Sequence, residues 1–76
     1  MGKPTRVTNS IRALRFARGE MTQAELAQRI DVTRQTVIAI EQGRYSPSLE
    51  MAFQIARVFG VSLEEVFQYP SSEEQS

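Results

Sequence analysis

The fold is decided by residues 22–43, which read TQAELAQRIDVTRQTVIAIEQG. Thr22 and Glu25 have the spacing of a capping box, in which a hydroxyl and a carboxylate satisfy the free N–H groups at the start of a helix. Thr33 is a second candidate cap, because apolar residues recur at helical spacing after it as they do after Thr22. Gly43 ends the stretch, since glycine readily takes the left-handed conformation that terminates helices. The pattern predicts two short helices joined by a tight turn.

The apolar residues of these two helices form one stripe, which consists of Leu26, Ala27 and Ile30 on the first and Val37 and Ile40 on the second. Two helices this short bury too little surface to be a stable hairpin by themselves. With a turn of about three or four residues they have the helix-turn-helix arrangement, whose second helix enters the major groove of DNA. We therefore expect a DNA-binding motif near the centre of the chain.

Three more helices are predicted around this pair from their caps and stop signals. The first runs from a cap at about residue 8 or 9 to residue 18, the fourth from Ser48 to Gly60, and the fifth starts at Ser62. Residues expected to face inward at helical spacing are Ile11, Leu14, Ala17, Leu49, Ala52, Phe53, Ala56, Phe59, Leu63, Val66 and Phe67. The one strand candidate is residues 66–69. The predicted fold class is therefore all-α, with five helices.

The sequence divides into a flexible basic arm at residues 1–8, one helical domain at residues 9–69 and a disordered acidic tail at residues 70–76. The net charge is zero, but residues 1–48 carry eight Lys or Arg against four Asp or Glu, and residues 49–76 carry one against five. This asymmetry suits a protein that faces phosphate with one side only, although charges on a small domain also segregate by chance.

The composition excludes several classes of function. Cysteine and histidine are both absent, which removes disulfides, thiolate metal sites and the commonest general base. The carboxylates lie at helix caps and surfaces without a nucleophile–base pair, so we expect no enzyme, no cofactor and no metal. Met51 and the phenylalanines Phe53, Phe59 and Phe67 are interpreted as core or dimer surface. Because neither a membrane span nor a signal segment is visible, we expect a cytoplasmic protein.

The chain from about Ile11 to Phe67 resembles the Cro/C1-type helix-turn-helix regulators. The motifs that carry the resemblance are LR at 14–15, TQAELA at 22–27, VTRQTV at 32–37, IEQG at 40–43, PSLE at 47–50 and GVSLEEVF at 60–67. The resemblance implies a compact, lambda-repressor-like DNA-binding domain. Asp31 stands where the family usually has glycine in the turn, but aspartate tolerates the left-handed region, so we expect the turn to be preserved.

The resemblance places base-contacting residues in the second helix of the motif, namely Arg34, Gln35, Thr36 and Ala39. Arginine matches O6 and N7 of guanine, glutamine matches N6 and N7 of adenine, and alanine can contact a thymine methyl group. The alternative is that these polar side chains only solvate the start of a helix.

Phosphate contacts are assigned by the same resemblance to Gln23, Thr33, Arg44 and Tyr45. Such contacts position a protein on DNA without reading its sequence. Gln23 stands at the start of a helix, where free N–H groups add to an anion site. The alternatives are that Gln23 is an ordinary polar residue at a helix start and that Tyr45 packs on the loop.

Three further residues are expected to have structural roles. Arg15 and Glu41 resemble a family pair in which an arginine of the first helix bonds a glutamate near the end of the recognition helix. Two unrelated surface charges are the alternative, and such charges contribute little. Ala27 is expected where the two helices of the motif cross, because that crossing requires a small side chain.

The sequence favours a sequence-specific transcriptional regulator, a repressor in the interpretation we prefer, that binds double-stranded DNA with an inverted repeat as a homodimer. The expected dimer interface is Leu63, Val66, Phe67 and Tyr69, with residues 67–69 as a strand that pairs with its symmetry mate. The alternative for Leu63, Val66 and Phe67 is that they close the core of the monomer. The alternative function is an antitoxin-like interaction module that neutralises a protein partner and regulates its own operon.

Overall fold

Side-chain caps begin four of the five helices within residues 5–70, the part of the chain that the computed structural model describes. The hydroxyls of Thr22, Thr33, Ser48 and Ser62 each accept a hydrogen bond from the N–H group three residues further on, which confirms the predicted caps. The elements in chain order are β1 (Thr8–Asn9), α1 (Ile11–Ala17), α2 (Gln23–Arg29), α3 (Arg34–Glu41), α4 (Leu49–Phe59), α5 (Leu63–Val66) and β2 (Phe67–Gln68).

Strands β1 and β2 form a short antiparallel ladder that joins the two ends of the domain. Its register places Thr8 opposite Gln68 and Asn9 opposite Phe67. Helix α1 consequently begins at Ile11, later than predicted, because the backbone of residues 8–9 is extended and paired. Residues 67–68 form a strand, as the sequence suggested, and its partner within the chain is β1. Pairing of residues 67–69 with a symmetry mate stays a prediction.

The predicted arm and tail lie partly outside the described residues, at 1–4 and 71–76. The described part of the arm contacts the loop after α3. The Oγ1 atom of Thr5 accepts a hydrogen bond from the N–H of Val7 at 3.0 Å and lies 2.6 Å from the hydroxyl of Ser46. The chain segment before β1 is therefore attached to the loop that follows α3, which is the second helix of the helix-turn-helix motif and therefore takes the position of the recognition helix.

All five helices contribute to one hydrophobic core. The buried apolar side chains are Ile11, Met21, Leu26, Ala27, Ile30, Val37, Ile40, Ala52, Ile55, Ala56, Phe59 and Val66. The apolar stripe predicted across the helix-turn-helix lies entirely within this core. The inner faces of α2 and α3 therefore pack against the rest of the domain. No helix in residues 5–70 is long and apolar enough to cross a membrane.

Four residues predicted to face inward or to form an interface have different environments. Leu49 and Phe53 are 68% and 49% exposed, and Ala17 is exposed as well. On α4 the buried face is centred on Ala52, Ile55, Ala56 and Phe59, so Leu49 and Phe53 lie towards the edge of that face. Val66 is completely buried, which shows that its assignment to a dimer interface is wrong. A domain this small uses that side chain to complete its own core.

Candidate nucleic-acid interface

The turn between α2 and α3 is closed by two backbone hydrogen bonds. The N–H of Val32 donates to the carbonyl of Ala27 at 3.0 Å, and the N–H of Asp31 donates to the carbonyl of Gln28 at 3.3 Å. Asp31 has a φ of 61°, in the left-handed region, as expected from its place in the sequence. These bonds form the Schellman arrangement, which satisfies the last carbonyls of a helix. The turn therefore fixes the direction in which α3 leaves α2.

The first turn of α3 presents polar side chains at the surface. Arg34 and Gln35 are exposed, whereas Thr36 is half-buried. The hydroxyl of Thr33 accepts a hydrogen bond from the N–H of Thr36 at 3.3 Å and lies 3.1 Å from the Thr36 hydroxyl. Ala39, one turn further along, is half-buried. The four residues predicted to contact bases thus share one helix, and its two long polar side chains extend into solvent.

A buried ion pair between Arg15 and Glu41 connects α3 to α1. The Nε atom of Arg15 lies 2.7 Å from Oε2 of Glu41, and Nη2 lies 3.2 Å from Oε1. The Nη1 atom of Arg15 donates to the carbonyl of Met21 at 2.8 Å, and Nε2 of Gln23 donates to Oε1 of Glu41 at 3.1 Å. The glutamate therefore connects α1, the start of α2 and the end of α3. Gln23, predicted as a phosphate contact, has one amide N–H in this network and a second available.

Asn9 makes a further connection to the recognition helix that sequence reasoning missed. Its Nδ2 atom donates to the carbonyl of Ile40 at 3.0 Å, and its Oδ1 atom accepts from the N–H of Ile11 at 3.2 Å. The side chain thus accepts from the first N–H of α1 and donates to a carbonyl in the last turn of α3, which also accepts from the N–H of Gly43. The sequence marked Asn9 as a helix cap, but nothing in its local pattern indicates a contact 31 residues away.

The loop after α3 begins with a second Schellman turn. Gly43 has a φ of 71°, and the N–H of Arg44 donates to the carbonyl of Ala39 at 3.0 Å. Arg44 and Tyr45 are both exposed directly after this turn. The contact between Ser46 and Thr5 holds the far end of the loop. Both predicted phosphate contacts in this loop are therefore on the surface, at the carboxyl end of the recognition helix.

Helices α1, α2 and α3 enclose an open groove of about 720 Å³. Gln23 and Arg34 line it, as do Arg12 and Gln42, which the sequence did not indicate. Helical periodicity places Arg12 only relative to its own helix, so its position beside Arg34 depends on tertiary packing. Within residues 5–70 the sole ion pair is Arg15–Glu41, which leaves Arg34 and Arg12 without a carboxylate partner there.

A model of the helix-turn-helix family matches residues 11–66, which include all five helices. The chain belongs to this family, in its Cro/C1-type branch. A relative from Methanocaldococcus jannaschii, named as the uncharacterized HTH-type transcriptional regulator MJ0272, is 53% identical over 70% of this chain and 80% of its own length.

Two further comparisons extend this similarity. The cryptic phage CTXphi transcriptional repressor RstR of Vibrio cholerae is 37% identical over 78% of this chain, and the match covers 52% of that protein. The crystal structure of a hypothetical transcription factor, NHTF from Neisseria, superposes with a TM-score of 0.68 at 26% identity and covers 86% of this chain and 74% of that one. The helix-turn-helix protein described here therefore shares both sequence and fold with transcriptional regulators.

Proposed function

We propose that this helix-turn-helix protein is a sequence-specific repressor of transcription that binds an inverted-repeat operator as a homodimer. The observation that carries the proposal is the exposed first turn of α3. Arg34 and Gln35 extend from a helix whose inner face is packed in the core and whose far end is held by Glu41. A rigid helix with free polar side chains at its amino end is what base recognition in the major groove requires.

The chemistry of the exposed residues supports base reading. The guanidinium of Arg34 can donate two parallel hydrogen bonds to O6 and N7 of guanine, and the amide of Gln35 can pair with N6 and N7 of adenine. Thr36 can bond either kind of base edge, and Ala39 is short enough to let a thymine methyl group approach. We therefore assign to each recognition helix a half-site that contains a guanine and an adenine.

Phosphate contacts on both sides of α3 position the helix in the groove. Gln23 has a free amide N–H at the start of α2, and Thr33 retains a hydroxyl proton when Thr36 donates in their hydrogen bond. Arg44 and Tyr45 supply a cation and a phenol at the other end. Contacts of this kind add affinity for every sequence and fix the register of the recognition helix.

A dimer follows from the number of bases that one recognition helix can read. A half-site of a few base pairs recurs too often in a genome to give specificity, so two recognition helices about 34 Å apart are needed. The structure has an apolar surface suited to this association, which we call the terminal apolar surface. It consists of Val7, Pro47, Leu49, Leu63, Phe67 and Tyr69.

The test of this proposal is selection of bound fragments from random duplex DNA by the purified full chain. We expect a two-fold symmetric consensus whose half-sites contain guanine and adenine and lie about one helical turn, or a multiple of it, apart. An unsymmetric consensus contradicts the homodimer, and the absence of any enriched sequence contradicts sequence-specific binding.

The antitoxin-like alternative assigns the terminal apolar surface to a different protein. It predicts that the full chain co-purifies with one protein partner in a fixed ratio and that Leu49→Ser with Tyr69→Ser abolishes this association. Co-purification of the wild-type chain and of this double variant therefore separates the two functions.

A further inference from the structure

We propose that Arg12, held in place by the ring of Phe16, contacts a DNA phosphate from helix α1. This inference rests on the proposed function and extends the DNA-binding surface beyond the helix-turn-helix motif. Arg12 belongs to neither helix of that motif. It lines the groove together with Gln23 and Arg34.

The two side chains form a cation–π pair one helical turn apart. The Cζ atom of Arg12 lies 5.4 Å from the centroid of the Phe16 ring. Both residues are exposed, and Phe16 is 52% exposed, so neither is placed there by the core. A guanidinium that stacks on an aromatic face keeps its N–H groups free at its edges, where they can bond a phosphate.

The ring of Phe16 also connects Arg12 to the buried ion pair. Its centroid lies 5.7 Å from Cζ of Arg15, whose guanidinium bonds Glu41 of the recognition helix. Phe16 thus lies between Arg15, each of whose guanidinium nitrogens has a hydrogen-bond partner, and Arg12, which has no carboxylate within 4 Å among residues 5–70. The stack reduces the freedom of Arg12 before DNA binds, which lowers the entropy lost on binding.

The groove also contains one opposing charge. Glu20 is exposed and lines the same groove, whereas Glu41 forms an ion pair with Arg15 and accepts a hydrogen bond from Gln23. Within residues 5–70, Glu20 is therefore the one carboxylate lining the groove that forms no ion pair. Because a phosphate near that carboxylate is repelled, Glu20→Gln should strengthen binding to all duplexes, and Arg12→Ala should have the opposite effect.

The salt dependence of DNA binding tests the contact itself. We compare the wild-type full chain with Arg12→Ala, using the selected operator and an unrelated duplex. Loss of one phosphate contact should weaken binding to both duplexes by the same factor, about two- to fivefold, and reduce the salt slope by about one. Arg57→Ala is the matched control, because this arginine is exposed on α4 and does not line the groove.

The role of the ring is tested by a double-mutant cycle. Phe16→Ala should weaken binding in the wild-type background and have no further effect in the Arg12→Ala background. Arg12→Lys should keep the salt slope, because the charge remains. Equal effects of Phe16→Ala in both backgrounds would show that the ring does not act through Arg12.

The outcomes separate this inference from the proposed function. An unchanged salt slope for Arg12→Ala, with wild-type protein that selects an operator normally, overturns the Arg12 contact alone. A change in base preference for Arg12→Ala also overturns it, since a phosphate contact reads no sequence. Wild-type protein that binds no duplex overturns the proposed function and with it this inference. Melting curves of every variant exclude loss of folding as the cause.

Discussion

The guanidinium of Arg15 and the carboxylate of Glu41 form a two-point ion pair, with N–O distances of 2.7 and 3.2 Å, that connects α1 to the end of the recognition helix. The two side chains are only 8% and 10% exposed. Arg15 also bonds the carbonyl of Met21, and Gln23 bonds Glu41, so the pair is fully hydrogen-bonded within the protein. The position of the proposed DNA-reading helix thus depends on a charge in a different helix.

Removal of one partner of this pair should destabilise the domain strongly. Because a buried charge without its partner is unfavourable, we expect Arg15→Ala to lower the free energy of unfolding by about 3–5 kcal/mol. Arg15→Met combined with Glu41→Leu should cost less than the two single changes together, since it leaves no uncompensated charge. Urea unfolding of the wild type, Arg15→Ala, Arg15→Met, Glu41→Leu and the double variant measures these differences. Additive effects would show that the two side chains do not interact.

Ala27 should tolerate no larger side chain. It is buried among the residues that join α2 to the core, and its carbonyl closes the turn. We expect Ala27→Leu to lower the free energy of unfolding by about 1–3 kcal/mol through overpacking. Ala24→Leu is the matched control, because Ala24 is on the same helix and exposed. Equal thermal midpoints for the two variants would contradict close packing at Ala27.

The sequence predicted the five helices and their caps because these depend on local chemistry. A cap such as Thr22 or Ser62 can be predicted from the sequence alone, because its hydroxyl bonds an N–H group only three residues further along the chain. The start of α1 was the exception. Thr8 and Asn9, predicted as its cap, instead pair with residues 67–68 as a strand. That pairing spans nearly the whole chain and leaves no signal in the sequence around residue 9.

The candidate site was predictable where it lies inside the motif, but not where it depends on packing. The place of Arg34 and Gln35 in the first turn of α3 follows from the Thr33 cap, and their proposed role in base contact comes from the family resemblance. Arg12 gives no such signal, because its neighbours in the groove come from α2 and α3. Phe53 and Val66 show the same limit for burial, since apolar spacing alone does not distinguish the centre of a buried face from its edge.

The left-handed residue in the turn offers a test of backbone strain. Asp31 has a φ of 61°, and such a conformation costs an ordinary residue about 1–2 kcal/mol. We expect Asp31→Gly to raise the free energy of unfolding by about 0.5–1 kcal/mol, because part of the gain is offset by the entropy of the unfolded glycine chain. Asp31→Ala should lower it. A different order of the three urea midpoints would show that strain does not control this turn.

The division of the proposed DNA-contacting residues into base readers and phosphate contacts predicts different behaviour for two arginines. Arg34→Ala should weaken binding to the selected operator by about 1–3 kcal/mol and relax the preference at one base pair. Arg44→Ala should weaken binding to all duplexes and reduce the salt slope by about one. Titrations against the operator and its single-base variants at several salt concentrations measure both. Identical sequence profiles and salt slopes for the two variants would contradict this division.

The terminal apolar surface provides the last prediction, which concerns the proposed homodimer. Leu49 and Tyr69 are 68% and 64% exposed and contribute nothing to the core, so Leu49→Ser with Tyr69→Ser should leave the melting temperature of the monomer nearly unchanged. Phe67 is a poorer site for such a test, because it packs against the core and belongs to β2.

In sedimentation at micromolar concentration we expect wild-type protein to be a dimer and the double variant a monomer with much weaker operator binding. Phe16→Ser removes an exposed aromatic side chain outside this surface and is the control for sedimentation alone: it should leave the dimer intact while weakening DNA binding through Arg12. A wild-type monomer, or a double variant that still sediments as a dimer, would show that this surface does not join two copies of the chain.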